Sequence, residues 1–235
     1  MFFAELLQII LAISKVISII RIERAVIPFD RKDVHLMSGT LPIITISRQS
    51  GSRGREAGKL LAKQLGIPYY DYEILDRAAK ESGLAPELFE RAESSAAAML
   101  DRLEQGLPAT DISINTELFE VQSKIIRSLA EQGPSVMVGR CADTVLQDFP
   151  NVVNIYIYAS EARRIQNTME KKGISEKMAA RFIRSVDRGR SAYHNFFSQH
   201  SWGDMSAYDL CICTDSLTPE ETAQAIAAFL SLRCK

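Results

Sequence analysis

The sequence predicts a three-layer α/β domain around a parallel sheet, on three observations. Short β-branched runs alternate with stretches of helical periodicity along residues 41–235. The first run, Ile43-Ile44-Thr45-Ile46, is β-branched throughout and almost wholly apolar, as suits a strand covered on both faces of a parallel sheet. It leads into Ser47 to Arg55, which sets Gly51 and Gly54 among serines and arginines, and then into a helix marked by Ala57, Leu60, Leu61 and Leu65. Strand, basic glycine loop and helix make an anion cradle. The glycines let backbone N–H groups approach a ligand and the helix adds its positive end, so phosphate is the natural guest.

Composition narrows the class. A chain of 235 residues that is 46% hydrophobic, with 28 basic against 29 acidic residues, can bury a full core in one domain and carries no overall charge suited to nucleic acid. Cys141, Cys211, Cys213 and Cys234 form no C-x-x-C pair, and His35, His194 and His200 share no ligand spacing with them, so no structural metal site is expected. Cys211 and Cys213 alternate along an apparent strand and read as small buried hydrophobes in a reducing, cytoplasmic compartment.

Taken in order, Phe2 to Ile20 is strongly apolar but holds Glu5 and Lys15. It falls short of the about twenty mostly apolar residues of a membrane span, and it lacks the basic lead and cleavage site of a secretory signal. Three readings stay open for residues 1–40: a helix packed on the body, a weak membrane anchor, or an upstream extension outside the native chain. Met37-Ser38-Gly39, just before the first strand, favours the last. Pro28 to Gly39 reads as a linker.

After the phosphate loop, Gly66-Ile67-Pro68 ends the first helix and Tyr69-Tyr70 makes a very short strand. Asp71 takes the N-cap place of a helix that turns Ile74, Leu75 and Ala78 to the core. Leu84 to Gln132 is helical in pattern, divided by Pro86 and Gly106-Leu107-Pro108. Ser135 to Val138 is a second buried strand with Gly139-Arg140 at its carboxyl end, the edge where open α/β sheets bind ligands. A buried arginine there requires a phosphate or carboxylate within reach. Val152 to Tyr158 is the third long strand. Of the basic residues that follow, Lys171, Lys172 and Lys177 read as a solvated face. Tyr193 to Asp204 reads as a segment folding back on the sheet, and Tyr208 to Thr214 as the last strand. Thr218, Pro219 and Glu221 then supply the cap, first-turn proline and capping-box acid of a final helix.

The loop departs from the usual G-x-x-x-x-G-K-[ST] phosphate motif, because Arg55-Glu56 follows the second glycine. Arginine can replace lysine as a phosphate cation; glutamate cannot copy the hydroxyl, though it can meet a metal or its water. With that change, SRQSGSRGREAGKLLAKQLGIPYYD resembles the opening of the cytidylate kinase-like family, whose loop carries G-S-G-G-R-E. Arg53 stands where that family commonly has glycine. The likeness continues through VGRCADTVLQDFPNV, DRGRSAY and WGDMSAYDLCICTDSLTPEE, and so covers Leu41 to the C-terminus.

The resemblance implies a P-loop kinase fold of about five parallel strands with helices on both faces and a helical lid. It divides 41–235 into a kinase core, a substrate-side helical region at 84–132 and a lid region at 163–204. It implies ATP and Mg²⁺ as cofactors and a small-molecule nucleotide as partner, with no nucleic acid and no membrane partner. Ser50, Gly51, Ser52, Arg53, Gly54, Arg55 and Glu56 would hold the donor, with Arg55 also catalytic. Asp71, Arg77, Arg140 and Asp143 would hold the acceptor, and Arg188 and Arg190 of the D-R-x-R segment would close over the phosphates. The family's G-R-D reads Gly139-Arg140-Cys141 here, so Arg140 transfers and the base-reading aspartate does not. Asp143 is equally readable as a helix N-terminal acid. Phosphoryl transfer to a nucleoside monophosphate, CMP or dCMP first, is the leading expectation. A nucleotide-binding regulatory module and a kinase for another small metabolite are the alternatives.

Overall fold

The computed structural model describes residues 41–105 and 112–233. Residues 1–40, with the apolar stretch and Met37, lie outside these, as does the Gly106-Leu107-Pro108 break. The fold grows from β1 (Ile43–Arg48), in which all six residues are buried. It is the centre of a five-stranded, wholly parallel sheet of order β2-β3-β1-β4-β5, with β2 at Tyr69–Tyr70, β3 at Val136–Val138, β4 at Val152–Tyr158 and β5 at Leu210–Cys213. Ile44 lies between Val136 and Val153, and Ile46 between Val138 and Ile155.

Because successive side chains alternate across a strand, β1 feeds two cores. Ile44 and Ile46 meet α1 (Gly54–Leu65) and α8 (Pro219–Arg233) through Leu61, Leu65, Ile226 and Leu230. Ile43, with Met137 of β3, meets the other face. There α2 (Tyr72–Ser82), α3 (Pro86–Glu104), α4 (Ile112–Glu131), the single turn α5 (Ala142–Val145) and α7 (Glu176–Phe197) pack. The remaining helix, α6 (Glu161–Lys172), pairs with α7 as a hairpin turned at Gly173. Leu61 is fully buried, and truncating such a residue to alanine typically costs 2–5 kcal/mol.

Local signals act where the sequence places them. Gly66 ends α1 in the left-handed region, and the Ile67 N–H closes on the Ala62 carbonyl at 3.1 Å. At α8 the capping box is complete: the Glu221 N–H donates to Thr218 Oγ1 at 3.1 Å, and the Thr218 N–H donates to Glu221 Oε2 at 2.8 Å.

Two expectations need correcting. Cys211 is half-buried and Cys213 exposed, because β5 is the edge strand of the sheet and is only partly covered. Asp71 does occupy the N-cap position of α2, but its carboxylate makes no capping bond. No helix among the described residues is long and apolar enough to cross a membrane.

Candidate active site

β1 lies at the centre of the sheet, with β3 and β2 to one side and β4 and β5 to the other, and a crevice opens at its carboxyl end, where open α/β sheets bind ligands. The phosphate loop sits there. Gly51 has φ +82°, and a Cβ on it would lie 2.5 Å from the Arg164 carbonyl oxygen of α6, so only glycine fits. Arg53 adopts φ 61°, the left-handed conformation that a glycine takes without strain. The hairpin holds the loop directly: Asn167 Nδ2 donates to the Gly51 carbonyl at 2.8 Å, and the Ser50 N–H donates to Asp187 Oδ1 at 2.7 Å. Arg164 Nη1 clamps the same carboxylate at 2.6 Å. Burial outweighs these partners and raises the Asp187 pKa above the ordinary carboxylate range.

Between loop and hairpin lies a cleft of about 630 Å³. Of the expected donor residues, Ser50, Gly51, Arg53, Gly54, Arg55 and Glu56 line it. Ser52 does not; it is fully buried, its hydroxyl donating to the Gln49 carbonyl at 2.9 Å. Arg48, Arg190, Lys171 and Lys172 bring further positive charge to the wall. The two lysines are exposed, as a solvated face requires, and the hairpin sets that face beside the loop, where Lys171 pairs with Glu56 at 2.5 Å and Lys172 lies 4.3 Å above the Phe182 ring.

Glu56 is half-buried, which alone would raise its pKa, but the Lys171 hydrogen bond and charge leave it lowered. Glu56 and Glu170 are the two carboxylates on the cleft wall. Among the described residues, no group of three or more His, Cys, Asp or Glu side chains gathers as a metal cage.

Arg55 is engaged on the wall itself. Its Nε lies 2.5 Å from Asp71 Oδ2, its Nη1 donates to the Tyr72 hydroxyl at 3.1 Å, and its guanidinium stands 4.5 Å over the Tyr72 ring. Burial pulls its pKa down, yet Asp71 and Tyr72 outweigh that and leave it raised. Asp71, 2% exposed, is thus the carboxylate that anchors Arg55.

Arg140 and Arg190 reach the same crevice from β3 and α7. Arg140 is buried with φ 63°, its carbonyl accepting from Gln122 Nε2 at 3.0 Å, and its guanidinium stands 5.8 Å from the Tyr72 ring. Arg190 Nη1 donates to the Arg48 carbonyl at 3.1 Å. Both line a small inner cavity of about 20 Å³, together with Ser47, Arg48, His194 and Trp202. Asp143 sits behind it, with Oδ2 3.0 Å from His194 Nε2 and Oδ1 buried without a partner. Two expected residues stay apart from the crevice. Arg77 is exposed, over Tyr70 at 5.6 Å. Arg188 grips Asp101 of α3 with both carboxylate oxygens, at 2.5 and 2.6 Å.

The sequence reading missed Arg48, Arg164, Asn167, Asp187 and His194. For Arg48 a signal existed, since it ends the central strand at the ligand-binding edge.

Residues 43–216 match the family model described as "Cytidylate kinase-like family". The chain is 26% identical over 193 residues to a cytidylate kinase of Sulfurisphaera tokodaii, a match covering 80% of this chain and 95% of that one. Among solved structures it is similar to an uncharacterized protein from Eubacterium ventriosum, with TM-score 0.62 and 28% identity over 80% of this chain and 98% of that one. A shikimate kinase from Acinetobacter baumannii shares the fold, with TM-score 0.50 and 16% identity over 84% of this chain and 97% of that one.

Proposed function

The chain belongs to the cytidylate kinase-like family, and from that premise we propose that it transfers the γ-phosphoryl group of ATP to a nucleoside monophosphate, CMP or dCMP being the first acceptors to test. The observation that carries this reading is the cleft at the carboxyl end of β1, whose wall sets six basic residues (Arg48, Arg53, Arg55, Lys171, Lys172, Arg190) against two acidic ones. Such a wall suits a polyphosphate, and phosphoryl transfer depends mostly on positioning and charge stabilisation. The name of the Sulfurisphaera relative supports CMP as the first acceptor.

In this mechanism the loop from Ser50 to Glu56 cradles the donor phosphates, and Asp71 holds Arg55 in one orientation at the cleft wall. Arg140 receives the acceptor phosphate once the inner cavity, which at about 20 Å³ has room for about one water, widens to admit it. An oxygen of that phosphate forms the new bond to the γ-phosphorus while the bond from the γ-phosphorus to the β,γ-bridging oxygen breaks. Its electron pair stays on ADP. No strong base is needed, because the acceptor oxygen is already anionic near neutral pH. Arg190, held on α7 against the Arg48 carbonyl, places charge against the moving group. Mg²⁺ in such sites is held by one or two carboxylates plus phosphate oxygens; the two carboxylates on this wall, Glu56 and Glu170, are paired with Lys171 and Arg53, so either would hold the metal only after exchanging that cation for it. When bound it neutralises charge on the donor phosphates.

A regulatory module with little turnover is the second reading, favoured by the commitment of Arg55 to Asp71 and Tyr72 and by the missing Lys-Ser/Thr pair. ADP release measured against CMP, dCMP, UMP, AMP and GMP separates the two. Turnover on one or more supports the kinase; ATP binding without turnover on any supports the module.

A further inference from the structure

We propose that Arg48 is a catalytic residue that supplies the cation at the transferring phosphoryl group, the task a loop lysine performs in the usual phosphate motif. The assignment rests on the kinase reading above. Arg55 holds the lysine's place in the sequence, but its guanidinium is engaged by Asp71 and Tyr72. Arg48 stands at another point of the wall. It is the last residue of the central strand, 6% exposed, and it lines both the donor cleft and the inner cavity.

Only Arg48 and Arg190 belong to both of these walls. With the donor phosphates over the loop and the acceptor phosphate at Arg140, the γ-phosphoryl group passes the stretch of wall that Arg48 and Arg190 share. The group crossing there has one bond forming to the acceptor oxygen and one breaking to the bridging oxygen, with its charge spread over three equatorial oxygens. A planar guanidinium can meet two of those oxygens at once.

The fold reserves space for this side chain. Gly139, at the end of β3, has φ +75°, and a Cβ there would collide with Arg48 Nη1. The Gly139 N–H donates to the Ile46 carbonyl at 2.9 Å, which fixes that empty space against β1. On the backbone side, Arg190 holds the Arg48 carbonyl, so the two arginines are positioned together.

Arg48→Ala tests the assignment, in steady-state kinetics with ATP and the best acceptor, with and without added guanidinium ion. The expected result is a kcat lowered by about 10²–10³-fold, the range for losing one preorganised charge contact. KM for ATP should change by less than about threefold, and millimolar guanidinium should restore activity by about tenfold or more. Gly139→Ala provides an independent route, since it keeps Arg48 but displaces its guanidinium, and should lower kcat by at least about tenfold. A folded Arg48→Ala with kcat within about threefold of the parent overturns the assignment. So does a loss that guanidinium does not restore. If Arg48→Ala does not fold, Gly139→Ala decides alone, and unchanged kcat there overturns the proposal. Absence of turnover by the parent chain on every nucleoside monophosphate overturns the kinase reading and Arg48 with it, whereas turnover indifferent to Arg48 overturns Arg48 alone.

Discussion

Ser47 to Arg55 carries the recognisable loop and an internal tie from Ser52 Oγ to the Gln49 carbonyl, whereas the α6–α7 hairpin supplies Asn167, Arg164 and Asp187, which fix Gly51 and Ser50 in place. In the contacts between the two, Gly51 and Ser50 contribute backbone and the hairpin contributes side chains. A phosphate loop of this kind is therefore no independent module: its shape depends on a contact partner more than one hundred residues away along the chain.

The strongest way to break that comparison is to ask which hairpin arginine acts on the loop. Arg190→Ala should lower kcat by about 10²–10³-fold, whereas Arg188→Ala, whose partner is the exposed Asp101, should stay within about threefold. Equal losses in steady-state assays would show that Arg188 leaves Asp101 when substrates bind.

Next in size is Gly51→Ala. It sets a methyl group against the Arg164 carbonyl in a positive-φ conformation and should cost about 2–4 kcal/mol in denaturant unfolding, with nucleotide binding weakened in parallel. Gly66→Ala is the matched control. Its φ is +69° with nothing within 4 Å, so only the backbone cost of about 1 kcal/mol remains. Similar values for the two would remove the hairpin from the account of the loop.

Asp187 adds a pH signature. Its folded pKa is raised, so between the ordinary carboxylate range and that raised value the folded state binds more protons than the unfolded one. Its stabilising contribution is present below the unfolded pKa and is lost as pH rises through the folded value. Asp187→Asn should therefore flatten the fall in stability over the window just above pH 4, as measured by melting temperature against pH. An unchanged slope would place the titration elsewhere.

The smallest effect belongs to the pair that spans loop helix and hairpin. A double-mutant cycle on Glu56→Gln and Lys171→Met should give a coupling of about 0.2–1 kcal/mol, since both side chains are substantially exposed. A larger coupling would make this ion pair a structural clasp.

How much of this was legible follows from range. The β-branched run of β1, the glycine at the end of α1 and the Thr218–Glu221 box are local signals, and each element formed where its signal lay. Arg140 was legible because a strand end is a local feature with a known orientation. Arg188 and Arg190 were taken together from a motif, but DRGR lies inside one continuous helix. Residues two apart on a helix point to different faces, while Asp187 and Arg190, three apart, share one. That division was available once the helix was assumed. Asn167 and Arg164 were not, because nothing within α6 says which loop it will cover. The exposure of Cys213 depended likewise on strand order, which no stretch of β5 encodes.

Trp202 is the single tryptophan of the chain, and it lies on the wall of the inner cavity, edge-on to Tyr156 with ring centroids 5.6 Å apart. The molecule thus carries a native optical reporter on the wall of its inner cavity. Emission excited at the red edge of the protein band arises from that one ring, so filling of the inner cavity can be followed in the unlabelled chain, in real time, apart from events over the loop.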